Sequence, residues 1–264
     1  MQIVSVQLDI VWQDKTANHE KVRRLLDNTS FESGALIVLP EMFDTGFSTD
    51  VAATAQSDAR ESESFLRELA VNRNAAVLAG VVGPIVDGKA SNETVVLDSA
   101  GNLLVRYRKM QPFTLSGEDV KYGAGNAHRL FEWQGVKISP FICYDLRFPE
   151  IFRPAAREGA ELITVIANWP EIRSEHWVRL LQARAIENLA FVVGVNRCGA
   201  DPTMSYDGRS SAFDPYGSCL FEADGTEQVV VTNIDVEQAR QWRAEFPALN
   251  DMRGLHIIDE AIGN

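Results

Sequence analysis

The chain is poor in cysteine, in histidine and in clustered positive charge, and each shortage removes a class of function. Its 264 residues include three cysteines and four histidines, and 25 Lys and Arg stand against 37 Asp and Glu, for a net charge of −12. Cys143, Cys198 and Cys219 form no close pair, which excludes a disulfide framework or a zinc knuckle. His19, His128, His176 and His256 are scattered without a His-x-x-x-His pair, so no metal site is expected. No Gly-x-Ser-x-Gly elbow marks a serine hydrolase. The basic runs (Lys21, Arg23, Arg24; Arg106, Arg108, Lys109) are too short for a nucleic-acid surface, which needs many clustered cations to displace counterions. No run approaches the roughly 18 apolar residues of a membrane helix. The N-terminus, Met1-Gln2-Ile3-Val4-Ser5-Val6, alternates like a strand and carries no basic leader, so the chain is read as mature from Met1. With unpaired thiols, that suggests a reducing cytoplasm.

Short apolar runs alternate with amphipathic stretches. Strands are expected at 2–8, 35–39, 75–81, 128–133, 137–142, 161–166 and 190–195, and helices at 16–29 and 61–73. Residues 93–98 and 103–107 flank a Gly-Asn turn and read as a hairpin. A further helix before 190 has Ser174 as its expected cap and Trp177, Leu180, Leu181 and Leu189 as its apolar stripe. Strands near 210–213, 218–221 and 228–234 precede a last helix at 236–245 and an irregular tail. Without linker or repeat, residues 1–264 are read as one α/β domain, a mixed sheet covered by helices.

Three residues stand where apolar strands end, the place at which α/β folds present reactive groups. Cys143 closes Ile138-Ser139-Pro140-Phe141-Ile142, Glu41 follows Leu36-Ile37-Val38-Leu39-Pro40, and Lys109 follows the strand 103–107. Taken singly, each has a plain explanation: a buried structural thiol, a solvated strand terminus, a charge on a basic strand end. Cys198 and Cys219 keep the plain one.

Together, Leu-Pro-Glu-Met-Phe at 39–43, Tyr-Arg-Lys-Met at 107–110 and Ile-Cys-Tyr-Asp-Leu-Arg-Phe-Pro-Glu at 142–150 resemble the three signature segments of the nitrilase superfamily. The likeness runs from the first strand to about residue 235. It implies a four-layer α-β-β-α sandwich with mixed sheets, a cofactor-free Glu41, Lys109, Cys143 triad, a further glutamate at Glu118, and a homodimer or larger homo-oligomer. Glu118 follows Ser116-Gly117 in an expected loop, where a surface acid is equally reasonable. Leu-Pro-Glu-Met-Phe-Asp-Thr-Gly-Phe-Ser at 39–48 and Asn168-Trp169-Pro170 with Arg173 look like the omega-amidases, which deamidate 2-oxo-dicarboxylic acid monoamides such as 2-oxoglutaramate.

Amide hydrolysis needs an activated nucleophile, a proton for ammonia and oxyanion donors. The resemblance assigns attack to Cys143, proton transfer to Glu41, and the oxyanion to Lys109 with the Tyr144 N–H. From unperturbed values the thiol-to-carboxylate transfer is uphill by about 4 pK units, on the order of 6 kcal/mol. The site is expected to narrow that gap by raising the Glu41 pKa and lowering that of Cys143. A substrate carboxylate calls for a guanidinium, and Arg147 and Arg173 are the candidates; Arg147 has Asp145 or Glu150 as alternative partners. Phe113 and Trp169 are the candidate walls. An N-carbamoyl amine hydrolase or a nitrilase would use the same triad, and a non-catalytic binding subunit would keep only the fold.

Overall fold

The computed structural model of the protein describes residues 1–253. It opens with β1 (Gln2–Gln7), α1 (Lys15–Asp27), β2 (Leu36–Val38), a single-turn α2 (Val51–Thr54), α3 (Glu61–Arg73) and β3 (Ala76–Val82). The hairpin β4 (Asn92–Leu97) and β5 (Leu103–Arg108) follows, then α4 (Glu118–Lys121), β6 (Phe131–Trp133), β7 (Val136–Ile142), α5 (Pro149–Arg157), β8 (Leu162–Ala167), α6 (Ser174–Asn188) and β9 (Phe191–Asn196). A small hairpin, β10 (Cys198–Ala200) and β11 (Ser205–Asp207), precedes β12 (Ser211–Phe213), β13 (Cys219–Glu222), β14 (Gln228–Asn233) and α7 (Val236–Glu245). After α7 a 3-10 turn spans Ala248–Asp251, and residues 254–264 of the expected tail lie outside the described residues.

The strands form two six-stranded mixed sheets, ordered β14-β1-β2-β3-β4-β5 and β13-β12-β9-β8-β7-β6. The period-two alternation of the strands sorts side chains into two cores. In the first sheet Leu36, Val38, Ala76 and Leu78 face the second sheet, where they join Ile138, Ile142, Leu162 and Val193. Their neighbours Ile37, Leu39, Val77 and Ala79 turn outward onto Val22 and Leu26 of α1 and Phe65, Leu66 and Leu69 of α3. Phe152 and Ala155 of α5 and Trp177, Leu181 and Ala185 of α6 cover the other side of the second sheet. Burial on both faces explains the unbroken apolar runs of these strands, and each fully buried Val, Leu or Ile contributes roughly 1.5–3 kcal/mol. The result is the α-β-β-α sandwich that the sequence motifs imply.

Several local expectations are corrected. Ser174 does not cap α6: Arg173 is the N-cap without a side-chain bond, and the Ser174 hydroxyl bonds Asp207. Leu189 is not on the helix but closes it in a left-handed conformation, φ 48°. The strand expected at 128–133 is only Phe131–Trp133. Helix α5 escaped the pattern because Pro149 and Pro154 read as breakers, yet Pro149 opens the helix, where the missing N–H has no partner to lose.

Strand directions bring the chemistry together. β2 and β3 run parallel, β3-β4-β5 alternate so that β5 points the same way, and β7, β8 and β9 are parallel. The C-terminal ends of β2 and β5 therefore share one edge of the first sheet, as those of β7 and β8 share one edge of the second. After β2 the chain stays against β3, with Gly80 N–H donating to Pro40 O at 3.1 Å and Phe43 N–H to Gly80 O at 3.0 Å. A Cβ on Gly80 would lie 2.5 Å from the Glu41 Cα and 2.8 Å from Ile166 Cδ1 of the opposite sheet. Gly80→Ala is therefore expected to cost about 1–3 kcal/mol by overpacking and to lower activity by displacing Glu41; an unchanged denaturation midpoint would refute this tight approach.

Candidate active site

Four strand ends converge. Glu41 follows β2, Lys109 follows β5, Cys143 follows β7, and Asn168 follows β8. Glu41 and Glu118 are 0% exposed and Lys109 1% exposed, so none is the solvated terminus or surface charge that each resembles when read alone. Glu118 lies not in a loop but at the start of α4.

The Lys109 ammonium sits between the two carboxylates, with Nζ 3.0 Å from Glu41 Oε1 and 3.1 and 2.9 Å from Glu118 Oε1 and Oε2. Asn92, on β4, bridges the same pair: its Nδ2 donates to Glu41 Oε1 at 2.7 Å and to Glu118 Oε1 at 2.8 Å. Asn168 secures the other Glu41 oxygen, its backbone N–H donating to Oε2 at 2.8 Å, while its side-chain amide donates to the Glu41 carbonyl at 2.6 Å. The Phe113 N–H donates to Glu118 Oε2 at 2.6 Å. Sequence reasoning missed Asn92 and gave Asn168 no role of its own; polar residues at strand ends carry no mark that they will meet a buried carboxylate.

Burial alone would push the Lys109 ammonium down, but Glu118 and Glu41, with Cys143, more than offset it and hold its pKa well above the ordinary value. The lysine stays charged. Cys143 departs from expectation: burial and the Glu41 carboxylate push its thiol well up, against the pull of Lys109, so no preformed thiolate rests here. Cys143 Sγ lies 4.0 Å from the Asn168 carbonyl. Its φ of 47° bends the chain sharply out of β7 into the 3-10 turn Cys143–Arg147, and such a conformation in a non-glycine residue costs on the order of 1–3 kcal/mol. Tyr144 belongs to the first turn, whose N–H groups have no partner inside the helix.

In front of this cluster opens a cleft with ≈ 630 Å³ of empty space, open solvent included. Lys109, Phe113, Cys143, Tyr144, Arg147, Trp169 and Arg173 all line it, whereas Glu41 and Glu118 stand behind the lysine. Phe47 covers the ammonium, 5.4 Å from ring centroid to Nζ. Each arginine lies over an aromatic ring, Arg147 at 4.8 Å from Trp169 and Arg173 at 5.4 Å from Phe113. Arg147 pairs with neither Asp145 nor Glu150; its Nη2 is 3.2 Å from His176 Nδ1. Partial burial first, and the Arg173 charge second, hold its pKa below the usual guanidinium value, as expected of two cations facing one space. Among the described residues, no carboxylate pairs with either arginine.

The wall opposite comes from the β10–β11 hairpin, which the sequence did not reveal. It brings Asp201, Thr203, Met204 and Tyr206 to the cleft. The fully buried Arg197 anchors it, its guanidinium 4.4 Å from the Tyr206 ring centroid and its Nη2 donating to Ala200 O at 2.9 Å.

The carbon-nitrogen hydrolase family matches residues 2–244. The 2-oxoglutaramate amidase of Bacillus subtilis is 34% identical over 95% of this chain and 97% of its own. The omega-amidase YafV of Yersinia enterocolitica is 36% identical over 95% and 96%. A crystal structure of a CN-hydrolase superfamily protein from Xanthomonas campestris, with an arsenic adduct in its active site, superimposes with a TM-score of 0.89 at 34% identity, covering 97% of this chain and 98% of that one. The sandwich, the converging strand ends and these likenesses together make the chain a member of the carbon-nitrogen hydrolase family, within the nitrilase superfamily.

Proposed function

We propose that the protein is an omega-amidase that hydrolyses a short 2-oxo-dicarboxylic acid monoamide, such as 2-oxoglutaramate, to the dicarboxylic acid and ammonia, within one domain and without a cofactor. The observation that carries this reading is the pair of arginines without carboxylate partners, Arg147 and Arg173, in the cleft that also holds Cys143. A guanidinium laid on an aromatic face keeps its N–H fork free for a carboxylate. The names of the Bacillus and Yersinia relatives point to the same substrates.

In this mechanism the thiol is neutral at rest and Glu41 takes its proton as sulfur attacks the amide carbon. Two carboxylates with one ammonium leave a surplus negative charge at the cluster, which that proton neutralises. The carbonyl oxygen becomes an oxyanion facing the Lys109 ammonium and the Tyr144 N–H. Glu41 then passes the proton to nitrogen, the C–N bond breaks, ammonia leaves and a thioester to Cys143 remains. A water molecule, giving its proton to Glu41, attacks the thioester carbon; the acid departs and Sγ recovers the proton. Glu118 keeps the lysine in place. The free thiols fit a cytoplasmic enzyme, and a homodimer or larger homo-oligomer is proposed from the superfamily likeness; among the described residues no helix is long and apolar enough to cross a membrane.

Cys143→Ala is expected to abolish ammonia release while leaving the fold intact by circular dichroism; residual turnover would sink the mechanism. Arg173→Ala should raise KM for 2-oxoglutaramate about 10–100-fold, the loss of a charged hydrogen-bonded pair, and leave simple aliphatic amides nearly unaffected. Equal effects on both would remove Arg173 from the carboxylate site. Because the thiol titrates well above its ordinary range, iodoacetamide labelling of Cys143 should keep accelerating from pH 6 to pH 9, and a plateau by pH 7 would show a preformed thiolate. Ammonia release from carbamoyl amines or nitriles in preference to acidic amides would favour those substrates instead.

A further inference from the structure

Asp145, two residues after the nucleophile, is 0% exposed. Its Oδ2 accepts the Tyr107 hydroxyl at 2.7 Å and the Ile142 N–H at 2.9 Å, and its Oδ1 accepts the Gln111 N–H at 2.9 Å. These donors belong to two different sheets' ends. Tyr107 and Gln111 bracket Lys109 in sequence, while Ile142 is the last residue of β7, directly before Cys143. One carboxylate thus ties the segment carrying the lysine to the turn carrying the nucleophile. The turn needs such a tie because Cys143 sits at φ 47°, a conformation that persists only where its surroundings over-determine it. On its far side, Arg184 of α6 donates to the Leu146 carbonyl at 2.6 Å.

We propose that Asp145 is a positioning residue for the reaction: its ionised carboxylate holds the Cys143 sulfur in register with the Lys109 ammonium across the joint between the two sheets. The proposal rests on the amidase reading for its kinetic consequences and on hydrogen bonding alone for its structural ones.

The titratable groups facing this carboxylate are the neutral Tyr107 hydroxyl and the charged Lys109 from the β5 side, with the Cys143 thiol on its own turn. Burial pushes the carboxyl up to about 7, against the lowering by Tyr107, the Ile142 N–H, Lys109 and the Gln111 N–H. A carboxyl raised above its ordinary value binds its proton more tightly in the folded state, so its contribution to stability falls as pH rises from about 4 to about 7. Function runs the other way. A protonated carboxyl has an O–H where an acceptor was, so the strand-end N–H groups are held less well as pH falls below about 7.

Asp145→Asn and Tyr107→Phe test the idea in pairs. The amide of Asn must turn its NH2 toward either Ile142 N–H or Gln111 N–H and orphan one of them. It is expected to lower kcat about 100-fold, as for an ångström-scale misplacement, with KM within about threefold of wild type. Tyr107→Phe keeps both backbone bonds but removes a donor that favours the ionised form, so the acid limb of the kcat profile should move to higher pH. Hydrogen–deuterium exchange of residues 142–147, corrected for intrinsic rates, supplies a readout without substrate. Protection should fall below about pH 7 in wild type, fall at a higher pH in Tyr107→Phe, and be low at every pH in Asp145→Asn. Wild-type kcat in Asp145→Asn, or protection in Tyr107→Phe with an unmoved pH midpoint, would overturn the proposal. Exchange that behaves as expected in an enzyme that releases no ammonia from any amide would instead uphold the positioning role and sink the amidase reading.

Discussion

The structure depends on keeping one ammonium and two carboxylates out of water at the joint between two sheets. Removing ions from water costs several kcal/mol each, and the mutual attraction offsets this only when the remaining donors and acceptors are satisfied. Here the four carboxylate oxygens are satisfied from four directions: Asn92 from β4, Asn168 after β8, the Phe113 backbone before α4, and the ammonium itself. Asn92 lies on β4 and Asn168 directly follows β8, both strands buried along their whole length, so the sandwich works as a frame for the ion cluster. The close approach at Gly80, where a side chain would strike both the Glu41 backbone and Ile166, shows how little room the frame leaves.

Burial first, and the Glu41 carboxylate of that cluster second, push the Cys143 thiol well up. With one positive and two negative charges beside it, the half-buried sulfur gains more by keeping its proton than by facing Lys109 as an anion. In the proposed mechanism charge is separated only as the sulfur bonds to carbon, when the carboxylate receives the proton and the lysine meets an oxyanion in place of a thiolate. On that mechanism the site would favour the charge distribution of the reacting state over that of the resting one, as transition-state complementarity requires.

Much of this was legible in the sequence, and the reasons differ by residue. Strand positions followed from apolar runs such as Leu36-Ile37-Val38, because burial on both faces leaves no polar alternation to confuse the pattern. Glu41, Lys109 and Cys143 were found as a set through their motifs, yet each alone suggested a surface or structural role, because a single position gives no sign of burial. Glu118 was recognisable only by family likeness, since Ser116-Gly117 before it reads as a loop and the four-residue α4 is too short to show periodicity. Asn92 was invisible: nothing in Asn-Glu-Thr-Val-Val-Leu distinguishes an asparagine that serves two carboxylates from one at an edge. Asp145 entered only as one alternative partner of its sequence neighbour Arg147, whereas two of its three donors, the Tyr107 hydroxyl and the Gln111 N–H, come from the segment around Lys109, more than thirty residues earlier. The lowering of the Cys143 thiol was expected from Lys109 alone; the countervailing burial and the two carboxylates emerge only in three dimensions.

The most direct test of the whole arrangement is the mass of the enzyme acid-quenched during turnover of 2-oxoglutaramate. A thioester should be found on the peptide containing Cys143, with the increment of the substrate's acyl group, and hydroxylamine should discharge it. Steady ammonia release with Cys143 unmodified at every quench time, or an adduct on any other residue, would contradict a site built around this sulfur.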